Sequence, residues 1–487
     1  MKANVSSVLL ALLLGACGAP PQSAAAPGVK TPTATTVASA APPAAPLSAT
    51  LDARALLEQL VSVDTSHGNE TAALAPVRDR FRATGIPVEI VESAPGRGNL
   101  IARIKGNGTK KPLLLLAHID VVPAFGQPWT TAPFTPIEKD GFLYGRGVND
   151  DKSMATAIIV VALELARDKT PLSRDIIVAL TAGEETGGFA GVQWLVKNRR
   201  DLIDAEIALN EGAGLQLTQD MSKMQAVGIG VAEKTYQSYR LVVRGNGGHS
   251  SVPPTDADPV TTLSRGLLRL ADVKFVPHVV PEVKESLALQ ARWEKAPLAD
   301  ALRHAAASAP KLLPADDKLI SKDRIYNALT RTTCVTTMLQ GSTQDNVLPT
   351  SAEATVNCRI LPDETREQTL AALRKAVSDP AIAIEPISDF GMGPPSPLEG
   401  EVPAAIRKVS ASMWPGVEVA PSMSTGATDS RHLRGIGILA YGIGTAPSSL
   451  DENRTGHSAH GPDERRPIKW LDEGVRYMRE LTLMLAK

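Results

Sequence analysis

Residues 112–120 read Pro-Leu-Leu-Leu-Leu-Ala-His-Ile-Asp. Four consecutive leucines leave no polar face, so a strand made of them is buried on both sides, as in a parallel sheet covered by helices. The run ends at His118 and Asp120. In open parallel sheets, ligands collect beyond the carboxyl ends of the strands. Two more apolar runs end the same way: 176–180 leads to Glu184-Glu185, and 207–209 leads to Glu211. Three strand ends carrying ligand-type side chains imply that the fold gathers them into one site.

Around these runs, helical and strand patterns alternate. Helices are expected over 51–63, 72–83 and 154–166, and short strands over 88–91 and 100–104. Such alternation implies an α/β layered domain with a largely parallel sheet. The pattern changes after residue 231. Residues 238–243 alternate like a half-exposed strand. Asp258-Pro259 opens a helix, with Asp as cap and Pro in the first turn. Strands over 332–339 and 352–360 follow, then a helix over 367–376. This order implies an α+β lid inserted into the first domain. Residues 275–330, charged and punctuated by proline, read as a helical insertion. From about 390 the α/β character returns, and Trp470, Leu471, Val475, Met478 and Leu481 stripe a closing amphipathic helix. The expected layout is a catalytic domain over 51–235 and 389–487, with a lid over 236–388.

The 487-residue length suits two or three domains. Lysine plus arginine (51) balances aspartate plus glutamate (52), without the basic excess of a nucleic-acid partner. Lys2 precedes an apolar run over 5–14, too short for a spanning helix of about 20 residues. Leu14-Gly15-Ala16-Cys17 resembles a bacterial lipobox. On that reading 1–17 is a signal peptide and Cys17 carries the lipid; an ordinary signal peptide cut nearby is the alternative. Gly18 in place of Asp resembles the rule for outer-membrane sorting. The expected location is outside the cell or in the periplasm, anchored to a membrane. Residues 18–48 are Ala, Pro, Ser and Thr, a composition that cannot bury enough to order itself, and read as a tether. Export permits a disulfide. Cys334 and Cys358 face each other if their strands pair around a turn near Asn346; two buried free thiols are the alternative.

Each site fragment has its own chemistry. His118 and Asp120 point to one side of an extended chain, and a ligating imidazole commonly gives its second N–H to a carboxylate. Asp120 suits that role. Asp150 lies in the glycine-bent loop Gly145-Arg146-Gly147-Val148-Asn149-Asp150-Asp151-Lys152. It is either a helix cap or a carboxylate bridging two cations about 3.5–4 Å apart. Glu184 and Glu185 are adjacent and point apart, so one can ligate while the other acts as general base. His249, in Gly247-Gly248-His249-Ser250, can stabilise an oxyanion.

Together the stretches LLAHIDVVP, GRGVNDDKS, TAGEETGG, ALNEG, GGHSSVP, DNVLP, GATDSRHL and AHGPDE resemble the M20 family of metallopeptidases, nearest its carboxypeptidase S-like and aminoacylase-like members. The resemblance implies a phosphorylase/hydrolase-like catalytic domain with a mixed, largely parallel sheet and a ferredoxin-like lid. It implies two divalent cations, Zn²⁺ first, with Co²⁺ and Mn²⁺ suiting the same donors. One cation takes His118, Asp150 and Glu211; the other takes Asp150, Glu185 and His460. Spacing does not choose between His457 and His460; the Gly-Pro-Asp-Glu after His460 resembles the family motif. Glu184 becomes the general base, and a cis peptide follows the bridging Asp. Asn346, Arg359, Gly426 and Arg431 match substrate-holding positions, with Arg431 on a free carboxylate. The lid dimerises in such proteins, and His249 then serves the partner's site. The implied reaction is amide hydrolysis of small peptides or N-acyl amino acids. A non-catalytic binding lipoprotein and a narrow desuccinylase or aminoacylase are the competing readings.

Overall fold

The computed structural model describes residues 52–255, 258–387, 391–449 and 459–487. Cys17, the segment 18–48 and His457 lie outside the described residues. Strand Leu113–His118 is buried at every position, as its leucines require. It pairs in parallel with Ile176–Thr181 on one side and with Ile207–Asn210 on the other. Leu439–Gly442 continues the parallel run beyond Ile207–Asn210. The hairpin Val88–Glu92 and Gly98–Ile104 adds antiparallel strands at one side. Met224–Glu233 joins the other side antiparallel and pairs in parallel with Glu418–Ser424. The sheet is mixed and ten-stranded among the described residues.

Helix Lys152–Arg167 packs on Leu113–His118 and is nearly all buried, because helices Ala53–Val61 and Leu471–Ala486 cover its far side. Asp151 stands at its N-cap position without a side-chain capping bond. The cap reading of Asp150 is therefore set aside.

The lid runs Thr235–Arg244, Pro259–Ala271, Thr333–Gln340, Ser351–Ile360, Arg366–Val377 and Ala383–Pro386. Its antiparallel sheet places Ser351–Ile360 and Thr235–Arg244 in the centre, with Thr333–Gln340 and Ala383–Pro386 at the edges. This is the ferredoxin-like β-α-β-β-α-β arrangement. Leu241, Leu263, Val356, Cys358 and Leu373 form a core of its own. Asp258 caps the first lid helix, accepting Thr261 N–H at 3.0 Å.

Between the first lid helix and strand Thr333–Gln340 come four helices: Pro281–Gln290, Leu298–Ser308, Pro314–Ile320 and Arg324–Leu329. The boundary at 236–388 assigns them to the lid. Their Val283, Leu287, Leu302 and Ile320 instead join the core of the larger layer, where Pro281–Gln290 packs on Glu418–Ser424. The lid sheet already has its two covering helices, so the remaining apolar stripes are buried on the neighbouring sheet.

Cys334 and Cys358 stand opposite each other and are bonded. A bulge between Thr336 and Met338 then shifts the register, so Met338 meets Thr355. Simple pairing about one turn would have put it opposite Ala354.

Candidate metal centre

His118 ends its strand fully buried, and its ring is held by its own chain. Nδ1 lies 3.0 Å from the carbonyl oxygen of Asp120 and 3.5 Å from that residue's Oδ1. A proton on Nδ1 leaves Nε2 directed at Asp150 and Glu211 and free to ligate, the tautomer that ligation requires. The Asp120 carboxylate has a larger task than orienting this ring. Its two oxygens accept the backbone N–H groups of Glu184 and Glu185, each at 3.1 Å. One residue thus joins two strand ends, positioning the histidine through its backbone and the glutamate turn through its side chain.

That turn is set by Gly183, whose φ of 71° suits glycine, and by Gly188. A Cβ on Gly188 would lie 2.7 Å from Asp429 Oδ1 and 2.9 Å from His432 Nε2. No larger residue fits while these two side chains pack beneath the turn.

Asp150 addresses two imidazoles with its two oxygens. Oδ1 is 2.9 Å from His118 Nε2, and Oδ2 is 3.1 Å from His460 Nε2. His460 Nε2 is also 2.9 Å from Glu185 Oε1. Glu211 Oε1 lies 3.9 Å from His118 Nε2. Potential ligand atoms of His118, Asp150 and Glu185 fall within 4.8 Å of one another, as do those of His118, Glu184 and Glu211. Two ligands on one tetrahedral cation at about 2.0–2.1 Å stand about 3.4 Å apart, so these spacings suit shared cations. The peptide bond Asp150–Asp151 is cis.

Electrostatics point the same way. Burial, then the Glu211 charge, pushes the Glu184 carboxyl well above the usual range; burial and Asp150 do the same to Glu211. His460 is raised to about 10 by its bonds to Asp150 and Glu185. Burial opposes the charge on His118, yet bonds to Asp120 and Asp150 hold it well above its usual value. Asp150 is lowered despite burial, because both imidazoles bond to it. The raised Glu184 and Glu211 carboxyls mark carboxylates crowded together with too little positive charge beside them. Divalent cations would supply that charge, and the donor set fits them.

The loop carrying Asp150 is held from the far end of the chain. Buried Glu464 accepts N–H from Gly147 at 3.1 Å, Asn149 at 2.8 Å and Asp150 at 3.3 Å, and pairs with Arg146 at 2.8 Å. Gln127 holds the His460 carbonyl at 2.8 Å. Neither Glu464 nor Gln127 ends an apolar run, so strand-end placement does not reveal them. The Pro-Asp-Glu of residues 462–464 was the available signal for the former.

A cavity of about 480 Å³ opens over these groups, lined by Asp150, Glu184, Glu185, Glu211 and His460 and by Tyr236, Arg359, Gly426, Thr428 and Arg431. Arg359 packs over the Tyr236 ring at 4.5 Å, and Arg431 donates to the Thr428 carbonyl at 2.8 Å. The structure thus gathers His118, Asp120, Asp150, Glu184, Glu185, Glu211, His460, Arg359, Gly426 and Arg431. Asn346 and His249 do not line the cavity. Both are exposed on the lid, where His249 pairs with Val347 and accepts Ser251 N–H at 3.1 Å.

Paired imidazoles and carboxylates at the carboxyl ends of a parallel sheet, beneath a lid, define the class of metal-centred hydrolases. Residues 114–484 match the model of peptidase family M20/M25/M40, and the chain belongs to that family. It is 29% identical over 381 residues to the N-fatty-acyl-amino acid synthase/hydrolase PM20D1 of Mus musculus, covering 76% of this chain and 73% of the mouse protein. It is 28% identical to carboxypeptidase S-like 1 of Dictyostelium discoideum, covering 77% of this chain and 73% of that protein. The fold matches an M20 family metallo-carboxypeptidase from Sulfolobus solfataricus with a TM-score of 0.66 and 19% identity, over 89% of this chain and 99% of that one.

Proposed function

We propose that this protein hydrolyses the amide bond of N-acyl amino acids or small peptides that carry a free carboxylate, using two divalent cations. The observation carrying this reading is Asp150, whose two oxygens each face a different imidazole, at 2.9 and 3.1 Å. His118, Asp150 and Glu211 would hold one cation; Asp150, Glu185 and His460 would hold the other. When bound, such cations act as Lewis acids toward a carbonyl and lower the pKa of water, and Zn²⁺ suits the donor set. A dinuclear metal-binding peptidase of the M20 family from Bacillus subtilis shares the fold, with a TM-score of 0.57 and 15% identity over 89% of this chain and 97% of that one, which agrees with two cations.

Glu184 is the general base. It takes a proton from the attacking water and gives it to the departing amine as the C–N bond breaks. Its carboxyl is raised by burial and by Glu211, which suits a group that must hold that proton. Arg359 and Arg431 line the same cavity and grip the substrate carboxylate through charge-assisted bonds. His249 and Asn346 serve through a second copy of the chain, lid against lid. Cys17 anchors the protein to a membrane on the outer or periplasmic side. The names of the relatives favour N-acyl amino acids over dipeptides as the first substrates to screen.

Replacing Glu184 with Gln keeps the shape and removes the base. Turnover should fall about 10²–10⁴-fold with bound metal unchanged by elemental analysis; retained turnover would remove Glu184 from this role. A Cys17→Ser protein should move from the membrane to the soluble fraction.

A further inference from the structure

We infer that the Cys334–Cys358 disulfide is a positioning element for Arg359, holding the cavity wall that meets the substrate carboxylate. The inference rests on the reading of Arg359 given above. Cys358 is buried in the lid's helix-facing core. Arg359 is the next residue on the same strand, so its side chain leaves by the opposite face, where it lines the cavity. Tyr236, Arg359 and Thr333 form one row across the lid sheet, and Gln237, Cys358 and Cys334 form the row beside it.

Strand Thr333–Gln340 has little else to set its register. It pairs on one side only, contains a bulge, and buries none of its side chains fully. Val335, Met338 and Leu339 are 60%, 55% and 65% exposed. A strand with no buried face specifies its pairing weakly, and a slip by one residue turns every side chain over. Apart from Thr337 Oγ1, which donates to the Thr355 carbonyl at 3.4 Å, its side-chain ties are at its start. Thr332 Oγ1 accepts Leu361 N–H at 2.9 Å, and the disulfide bonds Cys334 to the neighbouring strand.

The same end meets the junction between the two domains. Lys234, fully buried where strand Met224–Glu233 gives way to Thr235–Arg244, donates to the Ala328 carbonyl at 2.9 Å, the Arg331 carbonyl at 2.7 Å and Thr333 Oγ1 at 3.2 Å. Arg359 is itself held lightly, by Asn357 Oδ1 at 3.3 Å and the Tyr236 ring. Freeing the edge strand would release Thr333 from Lys234 and loosen the row in which the guanidinium is held.

The test compares the full-length, metal-loaded protein with its C334A/C358A variant on an N-acyl amino acid and on the corresponding C-terminal amide, which lacks the carboxylate. KM for the acid should rise about tenfold with kcat nearly unchanged, the pattern of lost uniform binding. The amide's kcat/KM and the bound metal should not move. R359A should raise the acid's KM in the disulfide-bonded protein and add little in C334A/C358A. An unchanged KM for the acid, or equal losses on acid and amide, would overturn the inference. If R359A leaves the acid's KM alone in the disulfide-bonded protein, the carboxylate reading itself falls and takes the inference with it. Should the double variant fail to fold, wild-type protein reduced with a phosphine and alkylated under native conditions must show the same acid-specific rise in KM.

Discussion

Asp150 does at the scale of one residue what no neighbour can. Its two oxygens face two imidazoles, His118 at 2.9 Å and His460 at 3.1 Å. Asparagine keeps the shape but offers one oxygen and no charge. D150N should therefore hold at most one cation per chain by elemental analysis, and activity should fall with it; two tightly held cations would end the bridging role. The residue scale also shows where reading along the chain falls short. Asp120 was expected to orient the His118 ring with its carboxylate. The carboxylate does reach the ring, at 3.5 Å, but the Asp120 carbonyl is nearer at 3.0 Å, and the carboxylate also accepts the N–H groups of Glu184 and Glu185. The spacing of two residues made the proximity legible, whereas the bonds across to the glutamate turn arise only when the strands lie side by side.

At the scale of elements, the loop over 145–151 is shaped by a side chain more than three hundred residues away. Glu464 is fully buried and binds three backbone N–H groups and Arg146. Breaking a buried pair by removing one partner costs about 3–5 kcal/mol, because the other charge is left behind. E464A should lose about that much in urea unfolding and lower metal affinity as the Asp150 loop relaxes; E464Q should recover part of both. A stability change near zero would mean that Glu464 does not hold this loop. The strands themselves were readable. Buried runs at 113–116, 176–180 and 207–209 became central parallel strands because continuous apolar sequence tolerates no solvent-facing side. The insertion over 281–329 was not readable in the same way, since an apolar helix stripe says that a partner exists without saying which layer supplies it.

At the scale of the whole molecule, metal binding and folding stability are linked through protons. In metal-free protein, Glu184 and Glu211 are raised, chiefly by burial, and His118 and His460 are raised by their carboxylate partners. A carboxyl raised in the folded state costs stability as pH climbs past its unfolded value. A histidine raised in the folded state stabilises fully below its unfolded pKa, and that contribution fades as pH rises through the folded value. The carboxyl term makes the metal-free protein less stable from about pH 4.5 upward, the ordinary Glu value, and the histidine term adds to it from about 6.5, the ordinary His value, toward about 10 for His460. Asp150, lowered by the two imidazoles, acts in the opposite sense and only at more acid pH. Thermal unfolding of chelated protein should therefore show a Tm falling between pH 5 and 8. Added Zn²⁺ should raise Tm more at pH 8 than at pH 5, since binding displaces those protons; a Tm of the metal-free protein that rises over this range would contradict the linkage. The sequence alone determined the class of fold and pointed to most of the candidate ligand residues, because burial and strand-end placement are encoded locally. Only the tertiary structure decided that Asp150 stands between two histidines, that Asp120 and Glu464 hold the loops through backbone N–H groups, and that His249 lies away from this cavity. Those facts depend on distances between segments far apart in the chain, which local patterning does not carry.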